Sequence, residues 1–259
     1  MTGLRLALVQ QAASLEPAEN RDALGLLAKT IEPDTGLVLL PEAFMRDFGK
    51  PGSDIGAFAE PLDGPFVAAL TTFAAELGTT VVAGMFEVGH DPVRPFNTLA
   101  VVGPEGLLAS YRKIHLYDSF GYRESDRLSA GPVEPVLVDV DGVSVGLMTC
   151  YDLRFPELAR ELVRRGAELL VVPSAWVAGP GKVDHWRTLA AARAIENTVY
   201  VAAVGQPGPH YTGHSLVVGP AGELVAEVGD GDHVVTASID TEELDAARTT
   251  NPSLLNRRF

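Results

Sequence analysis

The chain of 259 residues contains a single cysteine, Cys150. An intramolecular disulfide is therefore impossible, and a four-thiolate zinc site is excluded. Long apolar runs are also missing, and none approaches the ~20 residues that a membrane span requires. The opening segment MTGLRLALVQQ lacks the longer apolar core and small-residue cleavage site of a signal peptide. A lone cysteine suits a reducing compartment, so the expectation is a cytoplasmic protein. Positive charge is scarce, with 20 Lys and Arg against 34 Asp and Glu and a net charge of −14. Such a chain is repelled by phosphate backbones, and nucleic acid is not expected as a partner. The acidity favours solubility but does not fix the charge of any local pocket. Long linkers and low-complexity segments are absent as well. The expected organisation is one domain over 1–259, with 241–259 as a C-terminal tail.

Short Val- and Leu-rich runs alternate with helical patterns. The runs predict strands at Leu4–Gln10, Gly36–Leu40, Thr79–Phe86, Asn97–Val102, Leu107–Arg112 and Val136–Val140. Six more follow at Val143–Thr149, Glu168–Val172, Val199–Val204, His214–Val218, Glu223–Val228 and Val234–Ile239. Several are apolar throughout, the pattern of strands covered on both faces. Helices are expected at Pro17–Thr30, Pro65–Leu77, Pro156–Arg165 and Asp184–Glu196, with a short one near Glu242–Arg248. In the second, Phe66, Leu70, Phe73 and Leu77 share one face. Pro65 suits its first position and Gly78 its end.

A weak repeat runs through this order. LRLALVQ corresponds to VSVGLMTC, GLVLLPEAF to ELLVVPSAW, TTVVAGMFE to NTVYVAAVG, and NTLAVVGPEGLL to GHSLVVGPAGEL. Two related halves imply a pseudo-two-fold sandwich with two sheets facing each other and helices outside. The period is far too long for a solenoid.

Three residues at strand ends have chemistry to offer. Cys150 ends the run VSVGLMT and precedes a helix start at Pro156. A strand-to-helix turn exposes a nucleophile at a sheet edge, although a free cysteine taken alone is more often a core residue. Glu42 sits at the equivalent end of another strand, LVLLPEAF, where a carboxylate can exchange protons with a reacting group. Lys113 follows the strand LLASYR. A fixed ammonium there can favour a thiolate or hold a developing oxyanion, whereas most lysines at strand ends are simply solvated.

Taken together, LLPEAF, YRKIHLYD and LMTCYDLRFPEL resemble the signature segments of the nitrilase superfamily of carbon–nitrogen hydrolases. VVPSAW, HWRTLAAARAIENTVYV, GHSLVVGPAGE and the NPSLLNRRF tail extend the resemblance along the whole chain. The resemblance implies a four-layer α-β-β-α sandwich in the α/β class. It also implies that Glu42 is the general base, Lys113 the oxyanion stabiliser and Cys150 the nucleophile. Glu124 of GYRES matches a second, supporting glutamate. Tyr117, Ala175 and Trp176 are expected to line the substrate pocket, with Phe44 a weaker candidate. The backbone N–H of Tyr151 is expected to join Lys113 at the oxyanion. Arg154 has two readings, a clamp for a substrate carboxylate or a structural partner of Glu157 or Asp152.

The implied reaction is hydrolysis of a linear amide to carboxylate and ammonia through a cysteine thioester. No cofactor or metal is implied, and a homodimer or higher homo-oligomer is. The short chain and CYDLRFPEL look most like the small amidase branch, which includes omega-amidases acting on 2-oxoacid monoamides and amidases of deaminated glutathione. N-carbamoyl amino acid hydrolysis and nitrile hydrolysis are the rival reactions. Acyl transfer and a catalytically silent scaffold are the alternatives of another class. Three other motifs fall short of the chemistry they resemble. Gly213-His214-Ser215 lacks the second glycine of a serine-hydrolase elbow, because position 217 is Val. His210 and His214 lie in a Gly/Pro loop with no third ligand evident. Gly179-Pro180-Gly181-Lys182 lacks phosphate-loop spacing.

Overall fold

Proline and glycine set most of the element boundaries. The computed structural model describes residues 3–258; Met1, Thr2 and the last residue of the tail, Phe259, lie outside the described residues. The first half begins β1 (Gly3–Gln10), α1 (Pro17–Leu27), β2 (Leu37–Leu39), α2 (Pro65–Leu77) and β3 (Thr80–Glu87). A hairpin of β4 (Phe96–Gly103) and β5 (Gly106–Arg112) completes it. Pro65 opens α2, and Gly78 closes it in the left-handed conformation at φ 65°, a geometry that lets the last carbonyls find donors. Phe66, Leu70 and Phe73 are buried on the expected face. Helix α1 stops short of Thr30 because the amides of Lys29 and Thr30 bond to the carbonyls of Leu26 and Leu27. Those three-residue bonds tighten the last turn out of α-helical geometry.

Two short strands follow, β6 (Asp118–Ser119) and β7 (Tyr122–Arg123). They pair as a hairpin inside a segment read from the sequence as loop. Its turn residues Phe120 and Gly121 both have positive φ, 53° and 80°, as tight two-residue hairpins require. The usual Asn-Gly or Asp-Gly signal is absent there. The second half runs β8 (Leu137–Val140), β9 (Val143–Leu147), α3 (Pro156–Arg164), β10 (Leu169–Ser174), α4 (Lys182–Asn197), β11 (Tyr200–Gly205), β12 (Leu216–Val218) and β13 (Leu224–Glu227). Then come β14 (His233–Asp240) and α5 (Thr241–Thr250). Strand β9 ends two residues before the expected Thr149, because the Thr149 amide turns to the Asp152 carboxylate, 2.8 Å away.

The sheets run β14-β1-β2-β3-β4-β5 and β8-β9-β10-β11-β12-β13. In each, an antiparallel edge strand precedes three parallel strands and a closing hairpin. The repeat read from the sequence is thus a repeat of topology, and the fold is the expected α-β-β-α sandwich. Alternation along strands builds its layers. Leu6, Leu8, Leu37, Leu39 and Val82 enter the core shared with the second sheet. Their neighbours Ala7, Val9, Val38, Leu40 and Val81 pack with Leu24, Phe66 and Leu70 of α1 and α2. Helices α3 and α4 cover the second sheet. Among the described residues no helix is long and apolar enough to cross a membrane.

The end of β2 depends on one glycine. A Cβ on Gly84 would lie 2.4 Å from the Ala43 nitrogen and 2.6 Å from the Glu42 Cα, and backbone cannot yield as a side chain can. Gly84→Ala is expected to destabilise by about 1–3 kcal/mol and to displace Glu42. Urea unfolding midpoint and catalytic rate would both fall; an unchanged midpoint would contradict the close packing.

Candidate active site

Glu42 follows β2 on a segment of chain pinned on several sides. The amide of Gly84 bonds to the Pro41 carbonyl at 3.1 Å, and Gln206 Nε2 donates to the Glu42 carbonyl at 2.8 Å. Ala43 takes a positive φ of 55°, an uncommon conformation for a residue with a Cβ. The Glu42 carboxylate is 1% exposed. Its Oε2 accepts the Ala175 N–H at 2.7 Å. Its Oε1 accepts Lys113 Nζ at 2.9 Å and Asn97 Nδ2 at 2.7 Å.

Lys113 follows β5, fixed through its amide to the Asn97 carbonyl at 2.8 Å. Its ammonium meets both oxygens of Glu124 at 3.1 and 2.9 Å, and both side chains are 2% exposed. Glu124 is fixed by the Tyr117 N–H, 2.6 Å from its Oε2, and by Asn97 Nδ2 at 3.3 Å. Burial works against the charge of Lys113. Glu124 and then Glu42 outweigh it and hold the ammonium well above its ordinary range. These charges favour the ammonium form, the form that can stabilise negative charge on a neighbouring oxygen.

Cys150 sits in the turn after β9 with φ 46° and is 7% exposed. Burial pushes its thiol well above the ordinary range; the Glu42 charge adds to this and Lys113 opposes it. Lys113 thus favours the thiolate, but burial and Glu42 outweigh it.

The surroundings of the thiol are aromatic and cationic. Tyr117 meets Tyr151 edge-on at 5.0 Å and is near enough to Cys150 that a thiolate there would raise its hydroxyl pKa, burial being the larger cause. Lys182 Nζ lies 3.2 Å from the Tyr117 hydroxyl and 3.7 Å from the centre of the Phe120 ring. The Arg154 guanidinium lies 5.0 Å from the centre of the Trp176 ring, and its Nη2 is 3.4 Å from His185 Nδ1. Burial and the neighbouring Arg154 lower the pKa of Lys182. Among the described residues, neither Arg154 nor Lys182 forms an ion pair with a carboxylate.

The structure brings Glu42, Lys113, Glu124 and Cys150 into one buried group. Tyr117 and Tyr151 stand beside it, and Ala175 meets Glu42 through its backbone rather than its side chain. Trp176 is 4% exposed, with its indole N–H on the Lys182 carbonyl at 3.0 Å. Phe44 is fully buried in the core under α1 and α2. The pairing of Arg154 with Asp152 or Glu157 is not found, because Asp152 is fully engaged by Tyr111, Thr149 and His115. Sequence reading missed Asn97, which touches both glutamates, and Lys182. Asn97 opens the repeated NTLAVVGP segment, but its counterpart in GHSLVVGP is Gly213, so the repeat does not single it out. Lys182 was set aside with a motif that failed as a phosphate loop.

The family model for carbon–nitrogen hydrolases matches residues 5–249. The chain is 42% identical over 272 residues to a hydrolase of Mycobacterium tuberculosis, covering 98% of this chain and 95% of that one. It is 39% identical over 236 residues to a deaminated glutathione amidase of Escherichia coli O157:H7, with 90% and 89% covered. It is 35% identical over 270 residues to an omega-amidase of Xenopus tropicalis, with 100% and 96% covered. Among solved structures, a CN-hydrolase superfamily protein of Xanthomonas campestris with an arsenic adduct in its active site aligns with TM-score 0.89 and 34% identity, covering 100% and 98%. A mutant amidase of Nesterenkonia sp. AN1, showing covalent addition of the acetamide moiety of fluoroacetamide at its active site cysteine, aligns with TM-score 0.81 and 30% identity, covering 99% and 94%.

The electrostatics of Cys150 are open to titration. Glu42→Gln removes a charge that raises the thiol, so its titration should move to lower pH. Lys113→Met removes one that lowers it, so its titration should move to higher pH. The pH dependence of iodoacetamide alkylation reads both. Shifts of the opposite sign would contradict the arrangement of charges described here.

Proposed function

The chain belongs to the carbon–nitrogen hydrolase family, and from that premise we propose that Cys150, Lys113 and Glu42 are its catalytic residues. It is an amidase-type enzyme that hydrolyses non-peptide C–N bonds of amides. The observation that carries the residue assignment is the buried ammonium of Lys113 held between Glu42 and Glu124, at 2.9 Å from each.

In the proposed reaction, Glu42 takes the thiol proton as the sulfur attacks the amide carbon. The negative charge passes to the amide oxygen, where Lys113 Nζ and the Tyr151 N–H receive it. As the C–N bond breaks, Glu42 returns the proton to the leaving nitrogen, and a thioester remains on Cys150. Glu42 then takes a proton from water as that water attacks the thioester and gives it to the Cys150 sulfur as the C–S bond breaks, restoring thiol and carboxylate; the acid released loses its own proton to solvent. Glu124 keeps Lys113 in place throughout. The formal charges of Glu42, Lys113 and Glu124 sum to −1 at the start. When Glu42 is protonated they sum to zero and the oxyanion carries the −1. The net charge of the dry site is thus constant, which avoids burying new charge during the step.

The substrate is proposed to be an amide that carries a carboxylate, as the deaminated glutathione named for one relative does. Arg154 and Lys182 support this, being two cations without a carboxylate partner among the described residues, on a chain of net charge −14. Tyr117, Tyr151 and Trp176 form the walls around the acyl group. The lone cysteine supports a cytoplasmic site of action. The whole chain serves as one catalytic unit. Its tail docks through Arg248, whose guanidinium bonds to the carbonyls of Thr198 and Ala167 at 3.1 and 3.0 Å. Segment 241–259 is proposed to meet a second copy in a homodimer, and a 27.5 kDa particle by sedimentation at micromolar concentration would refute this.

The decisive test is product formation from a panel of amides: 2-oxoglutaramate, deaminated glutathione and uncharged aliphatic amides of similar length. Wild type should prefer the carboxylate-bearing amides, and Cys150→Ala should be inactive on all. Lys182→Met should raise KM about 10–100-fold for the anionic amides alone, the size of one lost charge-assisted hydrogen bond. Full activity of Cys150→Ala would sink the mechanism; equal effects of Lys182→Met on neutral amides would sink the substrate class.

A further inference from the structure

Lys113 and Cys150 must be held in register, yet they belong to different sheets. Lys113 extends β5 of the first sheet, and Cys150 follows β9 of the second. One buried carboxylate connects them. Asp152 is 0% exposed. Its Oδ2 accepts the Tyr111 hydroxyl at 2.6 Å and the Thr149 amide at 2.8 Å. Its Oδ1 meets the His115 amide at 3.2 Å and His115 Nδ1 at 2.7 Å. Tyr111 and His115 lie two residues to either side of Lys113, and Thr149 directly precedes Cys150. A single carboxylate therefore grips the lysine segment at two points and the cysteine turn at one, while its own backbone forms part of that turn.

The grip is rigid. Burial, with the Asp152 charge second, holds the Tyr111 hydroxyl well above its ordinary range, so it remains a donor. The His115 ring stacks on Phe155, centroids 3.8 Å apart and planes 7° from parallel. The Phe155 amide bonds back to the Asp152 carbonyl at 2.9 Å. No group in this network lies among those proposed to touch the substrate.

We propose that Asp152 is a positioning residue for amide hydrolysis, clamping the Lys113 segment to the Cys150 turn so that ammonium and sulfur converge on one carbonyl group. This rests on the assignment of Cys150 and Lys113 above. Misplacing a catalytic group by about 1 Å costs on the order of 100-fold in rate, which sets the expected effect.

The test compares amide turnover with simple alkylation of the thiol. Alkylation by iodoacetamide needs Cys150 but generates no oxyanion for Lys113 to hold. Asp152→Asn keeps the shape of the side chain and cannot accept all four bonds. Its kcat is expected to fall about 100-fold, with KM within about threefold and Cys150 alkylation within about threefold of wild type. Tyr111→Phe, which removes one grip on the lysine side only, should give the same split with a smaller loss, and it keeps the test open should Asp152→Asn fail to fold. In a Lys113→Met background the Tyr111→Phe effect on turnover should vanish, since the residue acts through the lysine. Unchanged kcat in either folded variant would overturn the proposal, as would turnover and alkylation falling together or an undiminished Tyr111→Phe effect without Lys113. If wild type alkylates at Cys150 but hydrolyses none of the amides, the failure lies in the functional assignment and not in the clamp.

Discussion

The site depends on one interaction: an ammonium buried between two carboxylates. Lys113 is 2% exposed, and removing such an ion from water costs several kcal/mol. Glu42 and Glu124 repay that cost because each of their four oxygens accepts at least one hydrogen bond. Besides Lys113, the donors are Asn97, the Ala175 amide and the Tyr117 amide. The partners come from five separate segments of chain, so the triad requires the complete sandwich. Removing one member leaves the others buried without compensation, a loss of about 3–5 kcal/mol for a buried pair. The carboxylates are thus held by the fold and also hold it.

The asymmetry of the repeat explains why there is one site and not two. Each half ends its second parallel strand with the same pattern, LLPEAF in the first and VVPSAW in the second. Where the first has Glu42, the second has Ser174, wholly buried. The second half contributes a donor instead, the Ala175 amide, which reaches across to Glu42. The proposed nucleophile follows the same logic in reverse. Cys150 follows the first parallel strand of the second half, while Gln10, ending the corresponding strand of the first, spends its side chain on Ser215 and the carbonyls of Gly229 and Gly231. The two halves thus diverge at both pairs of strand ends, leaving Glu42, the proposed base, after β2 of one sheet and Cys150, the proposed nucleophile, after β9 of the other.

Much of this is legible in the sequence because strands buried on both faces leave long apolar signatures with sharp ends. All twelve expected strands are present, and Pro17, Pro65 and Pro156 each open the helix they were read to open. The strand ends carrying Glu42 and Cys150 were legible for the same reason, whereas Lys113 follows the partly exposed edge strand β5. The hairpin at Asp118–Arg123 was not, because a Phe-Gly turn carries no conventional signal. The roles of Asn97, Arg154, Lys182 and Asp152 were hidden for another reason. Each depends on which side chain from a distant segment arrives beside it, and local pattern does not encode that. Arg154 shows this most clearly: Asp152 is two residues away in sequence, but Tyr111 and His115 have already claimed it.

The central claim is that Cys150 forms a covalent acyl bond within the charge-balanced group of Glu42, Lys113 and Glu124. Acid-quenching the enzyme during turnover of an anionic amide, followed by peptide mass analysis, tests it directly. The account predicts an adduct of the acyl group's mass on the peptide containing Cys150, formed with release of an equal amount of amine. Steady turnover with no adduct there, or an adduct on another residue, would contradict it.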